Sequence, residues 1–166
     1  PTMDNKIDKM TDSGKMGMVL LMVIGGSPGS TAGGMKTTTA AVLFAMAISV
    51  FRKNEQAHLY NRRIAEETQR NAATIFVLYM MLFTGSAMVI SYVEKVPLVT
   101  AFFETGSAIG TVGLSLGLTP TLGLASRLVL ICLMFFGRVG GLTLIFATVS
   151  GKRTEYKYPQ EKITVG

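Results

Sequence analysis

Charge is scarce in this chain of 166 residues: only 16% of them are charged, whereas 49% are hydrophobic. A disordered chain needs the opposite balance, so the composition excludes general disorder. The single cysteine, Cys132, has no partner within the chain, which argues against a disulfide-stabilised secreted domain. Tryptophan is absent, and no aspartate follows Asp12. The metal-binding aspartate that an NTPase carries after its phosphate-binding loop is therefore missing.

Long uncharged blocks are what the chain does have. Segment 71–93 contains no charge, 128–150 contains only Arg138, and 37–51 is a shorter uncharged run. A helix needs about 20 apolar residues, with a range near 17–25, to cross a bilayer. The blocks 71–93 and 128–150 therefore predict membrane-spanning helices. The run 16–26 is too short to span and has the length of a re-entrant segment.

Basic residues concentrate in loop 52–70, before the block 71–93, and in the C-terminal tail after the block 128–150. The loop and the tail hold nine of the sixteen basic residues: Arg52, Lys53, Arg62, Arg63, Arg70, Lys152, Arg153, Lys157 and Lys162. Since cytoplasmic loops carry the excess of Lys and Arg, loop 52–70 and the C-terminal tail are predicted to face the cytoplasm. The connection 94–127 then faces outward. This distribution explains the positive net charge as membrane topology and removes the reason to expect nucleic acid as a partner.

Two parts of the chain share one order of segments: a short apolar stretch, a glycine-rich run and a longer apolar block. The segments are 16–24, 25–34 and 37–51 in the first part, and 98–109, 110–120 and 128–150 in the second. In the second part the spanning block 71–93 comes first, and the first part has no counterpart of it. Such self-similarity predicts a repeat architecture.

Glycine-rich backbone at membrane depth needs a special environment. Irregular backbone survives there only where it lines a water-filled path or is buried in protein. Glycine tolerates positive φ and can turn its carbonyl inward, and rings of such carbonyls replace the hydration shell of a cation. The triplet Thr111-Val112-Gly113 has this character. The negative end of the short helix before it favours a cation.

Three segments carry a resemblance to a known family: SAIGTVGLSLGLTP, MFFGRVGGLTL and GGSPGSTAGGMKTTT. The first two resemble the fourth repeat, and the last resembles the third repeat, of the Trk/Ktr/HKT superfamily of cation transporters, with the Ktr branch nearest. The resemblance implies an all-α membrane protein in which helix–pore helix–helix repeats surround one pore lined by glycine-rich extended filter segments. The chain is then expected to be a piece of a longer protein.

The resemblance also divides the chain. It implies 1–51 as a third pore repeat without its first helix, 52–70 as a cytoplasmic loop, 71–150 as the fourth pore repeat and 151–166 as a cytoplasmic tail. The expected transported ion is K⁺, with Na⁺ as the alternative, bound by filter carbonyls without an organic cofactor. The expected partners are repeats one and two of the same pore, a second copy in a homodimer, membrane lipid, and a cytosolic nucleotide-binding ring that gates the pore.

The same resemblance assigns the predicted ion-binding residues. They are Thr111, Val112, Gly113 and Leu114 in repeat four, and Ser30, Thr31, Ala32, Gly33 and Gly34 in repeat three. The key glycine of repeat three stays open between Gly33 and Gly34, with Gly29 less favoured. The family also has a small-residue loop that interrupts the second helix of repeat three and gates the pore, but 37–51 contains no glycine that would mark it.

Three charges are predicted to lie within the membrane. Such charges usually face a cavity or a partner. The resemblance implies that Arg138 lies in the ion path below the filter as part of a gate; the alternative is a packing arginine bound to a carbonyl or carboxylate. Lys36 and Glu104 have opposite sign and similar predicted depth, so they are predicted to form a structural ion pair.

Two other functions compete with a pore. One is a structural membrane subunit whose glycines serve only helix packing. The other is a phosphate-binding loop, because Gly29 and Gly34 have the spacing of that motif, although Met35 stands between Gly34 and Lys36. No nucleophile–base pair and no cluster with metal-ligand spacing occurs in the sequence, so no enzymatic activity is predicted.

Overall fold

The computed structural model describes residues 10–52, 58–59 and 62–140. These residues form five α-helices: α1 Asp12–Ile24, α2 Thr37–Phe51, α3 Glu66–Glu94, α4 Leu98–Ile109 and α5 Leu124–Val139. Between α2 and α3 a short antiparallel pair joins β1 His58–Leu59 to β2 Arg62–Arg63. A single 3₁₀ turn, Thr119–Thr121, precedes α5. The helical fold predicted from the sequence is confirmed for the described residues.

Helices α2 and α4 have the predicted bounds, whereas α1 and α3 are longer than expected. Helix α1 begins at Asp12 because the Thr11 hydroxyl accepts a hydrogen bond from the Gly14 N–H at 3.3 Å and caps the helix. Helix α3 begins at Glu66, inside the predicted loop 52–70, because the negative charges of two glutamates in its first turn interact favourably with the positive end of the helix dipole and stabilise the helix start.

Helix α5 begins earlier than the predicted block 128–150 and ends at Val139. The rest of that block, from 141, and the predicted tail 151–166 lie outside the described residues.

Helix α3 has the properties of a membrane span. At 29 residues it is the one helix of the described part that is long and apolar enough to cross a bilayer, while α2 and α4 are shorter apolar helices. Large apolar side chains stay exposed on the helices, including Phe51, Tyr92 and Leu124. Exposed apolar faces of this extent mark contact with lipid or further protein.

The short helix α4 lies at the centre of the structure. It packs against α1, α3 and α5, and every residue from 103 to 110 is buried. The buried Thr105 is satisfied within the helix, because its hydroxyl donates to the Ala101 carbonyl at 2.9 Å. Helix α4 is therefore a rigid support for the segment that follows it.

A carboxylate joins the ends of α3 and α5. Glu94, the last residue of α3, accepts hydrogen bonds from the Gly123 N–H at 2.9 Å and the Ser126 hydroxyl at 2.6 Å. These groups lie at the N-terminus of α5, where unpaired donors and the helix dipole favour a negative partner. The contact fixes the start of α5 beside the end of α3.

Gly137 marks the closest approach between α5 and α4. A Cβ at this position would overlap the carbonyl group of Ile109. We expect Gly137→Ala to destabilise the protein by about 3 kcal/mol, at the upper end of overpacking costs, since backbone rather than a flexible side chain would have to move. The measurement is the thermal unfolding midpoint of purified protein in detergent.

The matched control is Gly85→Ala. Gly85 also lies in a helix, and a Cβ there would meet no atom within 4 Å. An equal loss of stability in both variants would contradict the close contact between α5 and α4.

Candidate ion-binding site

The segment after α4 leaves the helix in an unusual conformation. Thr111 and Gly113 have positive φ, 52° and 80°, and Val112 between them does not. The N–H groups of Thr111 and Val112 bond back to α4, to the carbonyls of Ala108 at 3.1 Å and Ser107 at 2.9 Å. An ordinary extended chain points successive carbonyls to opposite sides, and left-handed residues at alternate positions rotate them towards one side.

The carbonyls of this segment remain available. In the described part of the chain, no hydrogen bond reaches the carbonyl oxygens of 111–114. A Cβ at Gly113 would meet no atom within 4 Å, so this glycine is needed for its backbone conformation and not for close packing. Unbonded carbonyls that face one side are suited to replace water around a cation.

The glycine-rich segment 25–36 has a different shape. Its ends return to the place where it leaves α1: the Met35 N–H donates to the Val23 carbonyl at 3.0 Å, and the Thr37 N–H donates to the Gly26 carbonyl at 3.1 Å. The segment is thus a closed loop, inserted between α1 and α2, of the compact kind whose ends lie close together.

Three consecutive carbonyls of this loop, those of Ser30, Thr31 and Ala32, are bonded to cationic side chains. The Lys36 ammonium donates to the carbonyls of Ala32 at 2.7 Å and Ser30 at 3.2 Å, and the Arg138 guanidinium donates to the carbonyl of Thr31. Its positive-φ glycines, at 25, 29 and 34, are four and five residues apart and do not alternate as Thr111 and Gly113 do.

Three of the five residues predicted as filter at 30–34 therefore have bonded carbonyls, whereas no hydrogen bond among the described residues reaches the carbonyls of Gly33 and Gly34. A filter needs carbonyls that are free to face an ion, whereas the carbonyls of Ser30, Thr31 and Ala32 satisfy two cationic side chains. The physical reason is that a charge in a low-dielectric region must have a partner, and these carbonyls are the nearest acceptors.

The two segments meet at the C-terminal end of α4. The Gly33 N–H donates to the Thr111 hydroxyl at 2.8 Å, and a Cβ at Gly34 would lie 3.5 Å from Cα of Gly110. A Cβ at Gly33 would also lie 3.0 Å from the Ile109 carbonyl oxygen. The structure thus brings the loop against the first residue of the predicted repeat-four filter.

Lys36 and Glu104 do not form the predicted ion pair. Lys36 binds its own loop, whereas the Glu104 carboxylate accepts from the Ser115 hydroxyl, the Leu116 N–H and the Thr119 hydroxyl. Opposite sign and similar depth indicated a pair, but each side chain has nearer neutral partners. Because its ammonium is turned into the loop, Lys36 does not project towards a bound phosphate as the phosphate-binding motif requires.

Arg138 lies where α5 and the loop come together. The residue is exposed, and its one hydrogen-bond partner in the part of the chain that the structure describes is the Thr31 carbonyl, 107 residues away in sequence. Sequence reasoning named both Arg138 and Thr31 but did not pair them. It also missed Ser115 and Thr119 as partners of Glu104, because a hydroxyl in a loop carries no signal of its distant acceptor.

Comparisons with known proteins give one consistent result. A family model described as TrkH, cation transport protein, matches residues 5–156. The chain is 41% identical over 165 residues to the potassium/sodium uptake protein NtpJ of Enterococcus hirae, covering 95% of this chain and 37% of that protein.

Two further relatives belong to Ktr systems. The chain is 33% identical to the Ktr system potassium uptake protein B of Bacillus subtilis, covering 89% of this chain and 33% of that protein. It is 31% identical to the protein of the same name from Vibrio alginolyticus, covering 98% of this chain and 36% of that protein. The chain spans about a third of the length of the curated relatives that it matches.

Proposed function

The chain belongs to the TrkH family of cation transport proteins, which are membrane transporters and not enzymes, and from this premise we propose that it forms part of a potassium-conducting pore. K⁺ is the proposed main ion, because the relatives are named as potassium or potassium/sodium uptake proteins. Na⁺ remains the second candidate ion.

One observation supports this proposal above the others. The carbonyls of Thr111–Leu114 are unbonded among the described residues, and they follow a buried helix whose negative end favours a cation. We assign the filter of this part of the pore to Thr111, Val112, Gly113 and Leu114.

The loop 25–36 is proposed as the barrier in the ion path and not as a second filter. It separates α1 from α2, three of its carbonyls are bonded to Lys36 or Arg138, and it lies against the first proposed filter residue, Thr111. These features match the small-residue loop that gates the pore in the resembled family. On this proposal α1 and α2 are two parts of the second helix of repeat three.

The remaining partners follow from the same family membership. One filter segment cannot enclose an ion, so repeats one and two, and the filter of repeat three, are proposed to complete the pore. We assign loop 52–70 to the cytoplasmic side, together with the tail 151–166. These two segments are proposed to contact a cytosolic nucleotide-binding ring, with two copies of the transporter forming a homodimer in the membrane.

The test is ion uptake by the complete transporter in proteoliposomes, measured for K⁺ and Na⁺ with and without the cytosolic ring. We expect saturable K⁺ uptake that rises when the ring and its nucleotide are added, and cross-links from loop 52–70 to the ring. An inserted transporter that carries neither ion would overturn the pore. Uptake that is indifferent to the ring, without cross-links, would remove the proposed gating partner.

A further inference from the structure

We propose that Glu104 is a positioning residue that fixes the outer side of the filter and thereby sets its preference among cations. The inference deepens the proposed function, since it needs Thr111–Leu114 to be the filter. It concerns the segment immediately after the filter, residues 115–119, which is called the outer loop below.

Glu104 gathers the outer loop onto α4. Its Oε1 accepts from the Ser115 hydroxyl at 2.6 Å and from the Leu116 N–H at 3.0 Å, and its Oε2 accepts from the Thr119 hydroxyl at 2.8 Å. One further bond closes the network inside the loop, because the Gly117 N–H donates to the Ser115 hydroxyl at 3.0 Å. The Thr119 hydroxyl, whose single proton goes to Glu104, lies 3.1 Å from the Ser115 hydroxyl.

No other hydrogen bond in the described part of the chain joins the outer loop to α4. The anchor itself is rigid: Glu104 is 3% exposed, in a helix that is buried from 103 to 110. A buried carboxylate with three donors is held in one orientation, and it transmits that orientation to whatever it binds.

Packing supplies only part of the support of the filter, since Leu114, Leu116 and Leu118 are partly buried against the core whereas Gly113 has open space beside it. A cavity of about 320 Å³ lies beside Gly113 and the outer loop, and Glu104 forms part of its wall. A Cβ at Gly113 would meet no atom within 4 Å. The filter is therefore held at its two ends, by α4 on one side and, on the other, by the Glu104 network together with the packing of Leu114, Leu116 and Leu118.

Selectivity depends on how firmly the carbonyls are held. K⁺ and Na⁺ carry the same charge and differ in radius, so a filter discriminates through the number and placement of the oxygens around the ion. Releasing the outer loop lets the carbonyls of Gly113 and Leu114 adjust to either ion. The expected result is a loss of preference between ions, with a smaller effect on the maximal rate.

Two variants separate the two ways in which Glu104 could act, by holding the outer loop in place or by its negative charge. Glu104→Gln keeps the shape, retains one acceptor oxygen and donates to Thr119 through its amide, so it preserves the network without the carboxylate. Glu104→Ala removes the network. If Glu104 acts by position, the ratio of Na⁺ to K⁺ half-saturation concentrations falls about tenfold in Glu104→Ala, the equivalent of one or two lost hydrogen bonds, and stays within about twofold in Glu104→Gln.

The experiment measures K⁺ and Na⁺ uptake by the complete transporter, with rates divided by the amount of inserted protein. Thr119→Val is the accompanying variant, because it breaks one bond of the network at an exposed position and leaves Glu104 in place. It is expected to lower the ratio about threefold. If Glu104→Ala fails to insert into the membrane, the ratio measured for Thr119→Val tests whether the Glu104 network sets ion preference.

Three outcomes would overturn the inference: an unchanged ratio in Glu104→Ala, an unchanged ratio in Thr119→Val when Glu104→Ala fails to insert, or an equal loss in Glu104→Gln and Glu104→Ala. Gly113→Ser is measured in parallel to separate this failure from a failure of the filter assignment. If Gly113→Ser alters ion preference and the network variants do not, only the role of Glu104 is lost. If Gly113→Ser also has no effect, the filter assignment itself is lost.

Discussion

Gly113→Ser is expected to raise the K⁺ concentration for half-maximal uptake by about tenfold or more, because a left-handed residue with a side chain costs about 1–2 kcal/mol. Gly113 has φ of 80°, and the strain is relieved only if the segment moves. Any such movement displaces the carbonyls of Val112 and Gly113 from the ion. The measurement is K⁺ and Na⁺ uptake by the complete transporter over a range of concentrations.

Gly140→Ser is the matched control for this experiment. Gly140 has φ of 84°, and a Cβ there would also meet no atom within 4 Å, but it lies at the end of α5 and outside the filter. A side chain is thus introduced at a positive φ in both variants, and K⁺ affinity should be unchanged in Gly140→Ser. Unaltered K⁺ affinity in Gly113→Ser would sink the filter assignment and leave the structural-subunit alternative.

Arg138→Ala is expected to raise basal cation flux and to weaken control by the cytosolic ring. Two unit charges about 4 Å apart repel by about 4 kcal/mol at an effective dielectric constant near 20, which is enough to keep a leak almost closed. Arg138 also holds the loop through the Thr31 carbonyl, so its removal frees one bond of the proposed barrier. Ion preference should change little, because the filter residues are untouched.

Arg127→Ala provides the comparison for Arg138→Ala. Arg127 lies on the same helix, is exposed, and also donates to a backbone carbonyl, that of Pro120 at 2.9 Å. It lies at the opposite end of α5, so its removal should leave basal flux unchanged. If Arg138→Ala inserts well and its flux per inserted protein is unaltered or reduced, Arg138 has no part in the gate.

The local sequence was sufficient to predict where helices α2 and α4 begin and end. Helix α4 begins after Pro97 and ends before Gly110, and α2 lies between Lys36 and Arg52, so breakers and charges mark their ends. The sequence also predicted the positive φ of Gly113 in the triplet Thr111-Val112-Gly113, while the assignment of this triplet as a filter stays a proposal.

The proposed role of loop 25–36 as a barrier in the ion path could not be predicted from the local sequence. A filter and a closed loop both need small residues and glycine, so GGSPGSTAGG suits either. The difference depends on contacts over long sequence distances, between Thr31 and Arg138 and between Gly33 and Thr111. Lys36 and Glu104 were paired for a similar reason, since sign and depth can be read from a sequence and competing carbonyls and hydroxyls cannot.

The meeting of three glycines at the end of α4 has a thermodynamic consequence. Gly33 and Gly34 in the loop and Gly137 in α5 all approach the backbone of Ile109 and Gly110, directly before the first filter residue. A loop that moves away alters the support of Thr111, so the free energy of the loop depends on the state of the filter. If Thr111 belongs to the filter as proposed, linkage makes this coupling reciprocal, and an ion that binds there shifts the position of the loop by the same free energy. On this proposal the transported cation is also a ligand that regulates its own passage.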